Sequence, residues 1–213
     1  CALPILGAGS VTPMQMAAGY SVFANGGYRI NPYLITKVTD QMGKVLSEFT
    51  PPELDESARA IDARNAFVMT SLLQEVTRSG TAARASATLK RSDIYGKTGT
   101  TNDSMDAWFA GYHTTLTAVT WIGYDTPRKL GDRETGGGLS LPVWISYMQH
   151  ALQNVPISEP AVPPGVSHDS GDWTYTEFSK GGGVSSLGMD SKSGSNELPA
   201  SDEKKRILDL FKN

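Results

Sequence analysis

The sequence predicts an α+β domain over residues 1–153 followed by a polar tail over residues 154–213, on three observations. Apolar residues recur at helical spacing before residue 80. Between residues 95 and 124 the period shortens to that of strands, with Thr, aromatic and β-branched residues between short connections. After Asn154 the composition turns to Pro, Ser, Gly and scattered charge, which reads as a linker or a disordered tail.

Each element follows from local signals. Ser10-Val11-Thr12-Pro13 starts a helix, with a hydroxyl cap and Pro in the first turn. Met16, Tyr20 and Phe23 mark its apolar positions, and Asn25-Gly26-Gly27 stops it. Tyr33 to Val38 reads as a strand, with Asp40 to Gly43 the turn after it. A second helix runs from Asp62 to Arg78, with Phe67, Met69, Leu72, Leu73 and Val76 on one face and Gly80 closing it. Three antiparallel strands follow, at Tyr95–Thr101, Ala107–His113 and Leu116–Tyr124, with His113-Thr114-Thr115 a tight hairpin. Gly136-Gly137-Gly138 is expected as a flexible loop. Ser140 and Pro142 then start a helix that buries Val143, Trp144, Tyr147, Met148, Ala151 and Leu152. In the tail, Ser201 to Lys212 has the pattern of a short helix.

The bulk numbers exclude several functions. The 213 residues carry a formal charge of −3, and the nine acidic and six basic residues from Asn154 onward account for all of it. A neutral body argues against nucleic acid, because phosphate neutralisation needs clustered Lys and Arg. No apolar run approaches the roughly 20 residues of a membrane helix. One cysteine excludes an internal disulfide. His113, His150 and His168 show no mutual metal spacing, so neither metal nor cofactor is expected.

The chemistry centres on Lys97-Thr98-Gly99-Thr100. A phosphate-binding P-loop also contains Gly-Lys-Thr, but it needs a Gly where Arg91 stands, and it passes into a helix where a strand continues here. Gly7-Ala8-Gly9-Ser10-Val11-Thr12 lacks the third Gly of a dinucleotide fingerprint. On a strand, alternation points Lys97 to one face and Thr98 and Thr100 to the other. At the edge of a cleft such a strand offers a cation, hydroxyls and a backbone able to pair with an extended peptide. Gly99 removes a side chain where a ligand backbone would approach. By average residue usage a bare Lys-Thr-Gly arises by chance in roughly one chain of this length in twenty. Its surroundings therefore decide its meaning.

Those surroundings are Gly96-Lys97-Thr98-Gly99-Thr100-Thr101-Asn102-Asp103 and Asp106-Ala107-Trp108-Phe109-Ala110-Gly111-Tyr112. Val11 to Met16, Phe23 to Gly27, Arg78-Ser79-Gly80-Thr81-Ala82 and Glu134-Thr135-Gly136-Gly137 precede and follow them. In this order, over about residues 3–150, they resemble the transpeptidase domain of the class A, bifunctional penicillin-binding proteins. The resemblance implies a partial serine transpeptidase/β-lactamase-like fold and a part in peptidoglycan cross-linking. It implies that Lys97 and Thr100 are catalytic and that Thr98, Gly99, Thr100 and Thr101 bind substrate. Lys97 would supply positive charge, the Thr98 and Thr100 hydroxyls would hold a terminal carboxylate, and the Thr100 N–H would donate into an oxyanion hole. Implied partners are peptidoglycan stem peptides, β-lactams and the upstream part of the same domain. The implied location is the periplasmic face of the bacterial inner membrane, through an N-terminal anchor.

The family's order is Ser-x-x-Lys, then Ser-x-Asn, then Lys-Thr-Gly. No Ser-x-Asn occurs, and the one Ser-x-x-Lys, Ser201 to Lys204, lies in the tail and reads as a capping serine. The nucleophile is therefore expected upstream of Cys1, and this chain alone is expected to be inactive. Leu6 to Ser10 already resembles internal family sequence, so Cys1 is expected to mark a cut rather than an N-terminal nucleophile or a lipid attachment site. Two other functions fit a Lys-Thr-Gly wall: a non-catalytic module binding peptidoglycan or a partner, and a β-lactamase-like hydrolase. Asp103 and Asp106 read as a solvated turn. Trp108, Trp121, Tyr112 and Tyr124 read as sheet and core packing.

Overall fold

A computed structural model of the chain describes residues 11–169 and 171–179. Helix α1 (Pro13–Ala24) starts in a capping box: the Thr12 hydroxyl accepts from the Gln15 N–H at 3.2 Å, and the Gln15 side chain accepts from the Thr12 N–H at 2.8 Å. A hairpin of β1 (Lys37–Thr39) and β2 (Val45–Glu48) follows. The strand expected over Tyr33–Val38 is thus shorter and displaced, because the hairpin turn at Asp40 sets the register. The Asp40 carboxylate accepts from the N–H groups of Met42 and Lys44, both at 2.9 Å.

Helix α2 (Ala63–Arg78) is capped by Asp62, whose carboxylate accepts from the Arg64 N–H at 2.8 Å. Its expected apolar face is only partly the buried one. Ala66, Thr70, Leu73 and Thr77 are buried, whereas Met69 and Leu72 are exposed. Two threonines take core positions because their hydroxyls are satisfied, Thr70 by Tyr112 Oη at 2.7 Å and Thr77 by the Ile94 carbonyl at 2.5 Å. Helix α3 (Ala83–Leu89), which no sequence signal announced, buries Ala85 and turns into the sheet through Lys90 in the left-handed region.

The central sheet has the order β3 (Tyr95–Thr100), β4 (Ala107–His113), β5 (Leu116–Ile122), all antiparallel and each within two residues of its expected bounds. Every β4 residue is buried. On one face, Phe109 packs against Trp144 of α4 (Leu141–Ala151) with ring centroids 4.8 Å apart. Ile94, Ala82, Ala85, Leu141, Ile145, Met148 and Leu152 complete that core. The other face stacks Tyr95 on Tyr112 at 5.1 Å against Leu73 and Tyr20. Burial pushes the Tyr20 hydroxyl pKa up to about 12. Helix α4 corrects the expected face in three places. Trp144, Ile145 and Met148 turn inward, and Val143, Tyr147 and Ala151 are exposed, because the π-helical turn Gly136–Ser140 resets the phase of the helix entry.

The body also extends past the expected boundary at residue 153, and its compact unit ends at Ser179. Arg91 donates to the carbonyls of Val155 at 2.6 Å and Pro156 at 2.9 Å, and the Ser158 N–H donates to Asp93 Oδ2 at 2.8 Å. A hairpin of β6 (Val166–Asp169) and β7 (Asp172–Tyr175) then seats Trp173 edge-on against Phe67 of α2, with centroids 5.0 Å apart. Composition marked this stretch as polar, but its backbone groups are claimed by buried charges of the body. The helix expected at 201–212, Ser201, Lys204, Cys1 and Leu6–Ser10 lie outside the described residues.

Candidate active site

Lys97, Thr98, Gly99 and Thr100 lie on β3, which pairs only with β4 among the described strands. The Thr101 N–H donates to the Asp106 carbonyl at 3.1 Å, which sets the phase of the ladder. Because antiparallel N–H groups alternate in direction, those of Gly99 and Lys97 then face β4, and those of Thr100 and Thr98 face away from it. The Thr100 amide therefore points to the side where an oxyanion or a peptide could be received.

The side chains divide as alternation requires. The Lys97 ammonium donates to the Thr98 carbonyl at 3.0 Å and pairs with no carboxylate among the described residues. Thr98 and Thr100 project from the other face. Thr98 Oγ1 lies 2.8 Å from Thr81 Oγ1, and Thr100 Oγ1 accepts from the Gly136 N–H at 3.0 Å. Gly136 itself rests on the β3 and β4 backbones. A Cβ built there would lie 2.4 Å from the Gly99 carbonyl oxygen and 2.2 Å from that of Trp108. Only a residue without a side chain brings the loop this close. The loop is tied down at its start, where Thr135 Oγ1 accepts from the Gly138 N–H at 3.1 Å. Gly136–Gly138 therefore begins an ordered π-helical turn rather than the flexible loop expected from three glycines.

Thr101 has a different setting. Its hydroxyl accepts from the Asp106 N–H at 2.8 Å, closing the turn after β3. Asp106 is buried, correcting the expectation of a solvated turn, because its carboxylate accepts from Trp121 Nε1 at 2.7 Å. Asp103 matches the solvated reading, being exposed with a left-handed backbone. Lys97 to Thr100 are thus gathered on one strand, and Thr101 belongs to its closing turn. Trp108 and Tyr112 are buried as expected, whereas Tyr124 is partly exposed under the Arg128 guanidinium.

Two contributors carried no assigned role from sequence, Thr81 and the Thr135–Gly138 turn. They stand 17 and 36 residues from their partners on β3, and no spacing rule connects them.

His113 is buried at the far end of β4 from Thr100. Its Nε2 lies 3.0 Å from Asp93 Oδ2 and its Nδ1 accepts from the Thr115 N–H at 3.2 Å. Burial works against the Asp93 charge. The Arg91 guanidinium, the Ser158 N–H and His113 more than offset it and hold its pKa below the ordinary carboxylate range. This cluster joins the body to residues 155–158 and is remote from the threonines. Among the described residues no three His, Cys, Asp or Glu side chains are grouped to hold a metal ion, and no helix is long and apolar enough to cross a membrane.

Comparison with known proteins shows the family of the chain. Residues 6–144 match the family described as the penicillin binding protein transpeptidase domain. The chain is 45% identical over 168 residues to penicillin-binding protein 1A of Neisseria flavescens, covering 78% of this chain and 21% of that protein. It is 42% identical over 207 residues to penicillin-binding protein 1A of Pseudomonas aeruginosa, covering 76% of this chain and 25% of that protein. Among solved structures, penicillin-binding protein 1A from Haemophilus influenzae superposes with a TM-score of 0.69 at 37% identity, over 76% of this chain and 29% of that one. The chain spans about a quarter of the length of these relatives.

Proposed function

Because this chain belongs to the penicillin-binding protein transpeptidase family, we propose that it forms the substrate-binding wall of a peptidoglycan D-Ala-D-Ala transpeptidase. The observation that carries the reading is strand β3, which pairs only with β4 among the described strands. Within four residues it carries an ammonium that meets no carboxylate among the described residues, two hydroxyls and an outward Thr100 amide.

The reaction divides the work between this wall and a serine supplied by upstream sequence. The serine hydroxyl loses its proton to a neighbouring base, and its oxygen attacks the carbonyl of the penultimate D-Ala. The carbonyl oxygen becomes an oxyanion. The Thr100 N–H donates to it, and removal of one such donor typically costs about 2.7–4 kcal/mol of transition-state stabilisation. The C–N bond breaks, the terminal D-Ala leaves as an amine with the transferred proton, and an ester to the serine remains. An amine from a second strand attacks that ester, regenerating the serine and forming the cross-link. The Thr98 and Thr100 hydroxyls bind the terminal carboxylate. The Lys97 ammonium, on the opposite strand face from these hydroxyls, supplies positive charge and hydrogen bonds to the serine network. A β-lactam enters by the same route, but its leaving amine stays tethered. Stem peptides, β-lactams and the preceding part of the domain are thus the proposed partners, and the outer face of the bacterial inner membrane the proposed location.

Fluorescent penicillin tests this. Protein that includes the sequence upstream of Cys1 is expected to be labelled covalently, and this chain alone is not. Labelling of the chain alone would overturn the division of labour. A full-length protein without an upstream Ser-x-x-Lys would leave a binding module instead.

A further inference from the structure

We infer that Thr81 is a positioning residue for the β3 wall, one that orients the Thr98 hydroxyl so that its hydrogen is offered to an anion; the inference rests on the carboxylate-binding reading above. A threonine hydroxyl has one hydrogen and two lone pairs and rotates to suit its surroundings. For Thr100 the choice is already made. The Gly136 backbone N–H can only donate, so at 3.0 Å it fills a lone pair and leaves the Thr100 hydrogen free. Thr98 has the corresponding neighbour in Thr81, at 2.8 Å, and there either oxygen can be the donor. An anion beside the strand resolves the ambiguity: Thr81 donates to Thr98, and Thr98 donates to the anion. The two hydroxyls then present hydrogens from the same strand face, each held by a hydrogen bond to a group outside β3.

Thr81 is held firmly enough for this role. It sits in the turn between α2 and α3, where the Gly80 N–H donates to the Glu75 carbonyl at 3.1 Å and the Ala82 N–H to the Val76 carbonyl at 3.0 Å. Gly80 packs on α2 so closely that a Cβ there would lie 2.9 Å from the Val76 Cα. Ala82 is fully buried. Thr81 itself is exposed and, among the described hydrogen bonds, its side chain touches only Thr98.

The test uses protein that includes the upstream sequence and compares acylation by benzylpenicillin, which carries the carboxylate, with acylation by its methyl ester. Thr81→Val keeps the shape and removes the hydroxyl. It is expected to slow acylation by benzylpenicillin about fivefold, the value of one ordinary hydrogen bond, and to leave the ester rate unchanged. Thr81→Ser is expected to restore the benzylpenicillin rate. Thr98→Val separates this inference from the reading beneath it. If Thr98→Val slows the carboxylate ligand and Thr81→Val does not, the role of Thr81 is refuted and the reading survives. If Thr98→Val itself changes nothing, the reading fails. Equal slowing of both ligands by Thr81→Val, or no rescue by Thr81→Ser, shows a structural role and overturns the inference.

Discussion

Replacement of Gly136 by alanine tests how the wall is assembled. The added methyl carbon would lie 2.2 Å from the Trp108 carbonyl oxygen and 2.4 Å from that of Gly99. A tolerable carbon–oxygen contact is about 3.3 Å, so the loop must retreat by roughly 1 Å. No side chain can yield instead, because both obstacles are backbone atoms in a paired ladder. Overpacking of this kind typically costs about 1–3 kcal/mol. For a domain of this size each kcal/mol lowers the melting temperature by about 2–4 °C. The same retreat lengthens the 3.0 Å bond from the Gly136 N–H to Thr100 Oγ1. Loss of one ordinary hydrogen bond is worth about fivefold in rate. In protein that includes the upstream sequence, stopped-flow acylation by a fluorescent penicillin should therefore slow about fivefold. Differential scanning calorimetry should show a lower melting temperature. A G136A protein that acylates at the wild-type rate with an unchanged melting temperature would refute the packing argument.

Three further outcomes follow from the fold. The Asp93 carboxylate has its pKa lowered in the folded state, so it contributes stability above its ordinary value near 4 and loses it as pH falls through that value and below. Asp93→Asn should cost about 3 kcal/mol at pH 7 by leaving the largely buried Arg91 unpaired, and the deficit should shrink below about pH 4 in urea titrations; a deficit independent of pH would contradict the ion-pair account. Trp144→Ala removes a fully buried ring that packs on Phe109 and donates to the Ala118 carbonyl at 2.9 Å. It should cost about 3–5 kcal/mol by chemical denaturation, and a loss under 1 kcal/mol would show that the core is not centred there. Trp173→Ala should raise amide exchange in residues 166–175 and leave β4 protected, because that hairpin is held to α2 by the Trp173–Phe67 contact.

The legible parts of this protein are those whose signal is local. Thr12 with Pro13, and Asp62 ahead of an apolar repeat, start helices wherever they fall, since the groups they satisfy are a few residues away. The strands β3, β4 and β5 follow from composition, and their edge from the short turns joining them. Periodicity misjudged faces where a hydroxyl found a distant partner, as with Thr70 and Thr77, or where a π-turn shifted the phase, as with Val143 and Tyr147. It also cut the domain short at residue 153, because polar composition records the preference of isolated residues for water. Arg91 and Asp93 satisfy the backbone of residues 155–158 from more than 60 positions away.

Lys97-Thr98-Gly99-Thr100 shows both sides of this division. Sequence alone determined that a cation and two hydroxyls alternate on one strand, because side-chain direction in a strand depends only on position along it. Tertiary structure decided what stands behind those hydroxyls, since Thr81 and Gly136 reach β3 only through the packing of α2, α3 and the turn before α4. A hydrogen bond is specified by atoms within about 3 Å, and the chain brings such atoms together without regard to their separation in sequence.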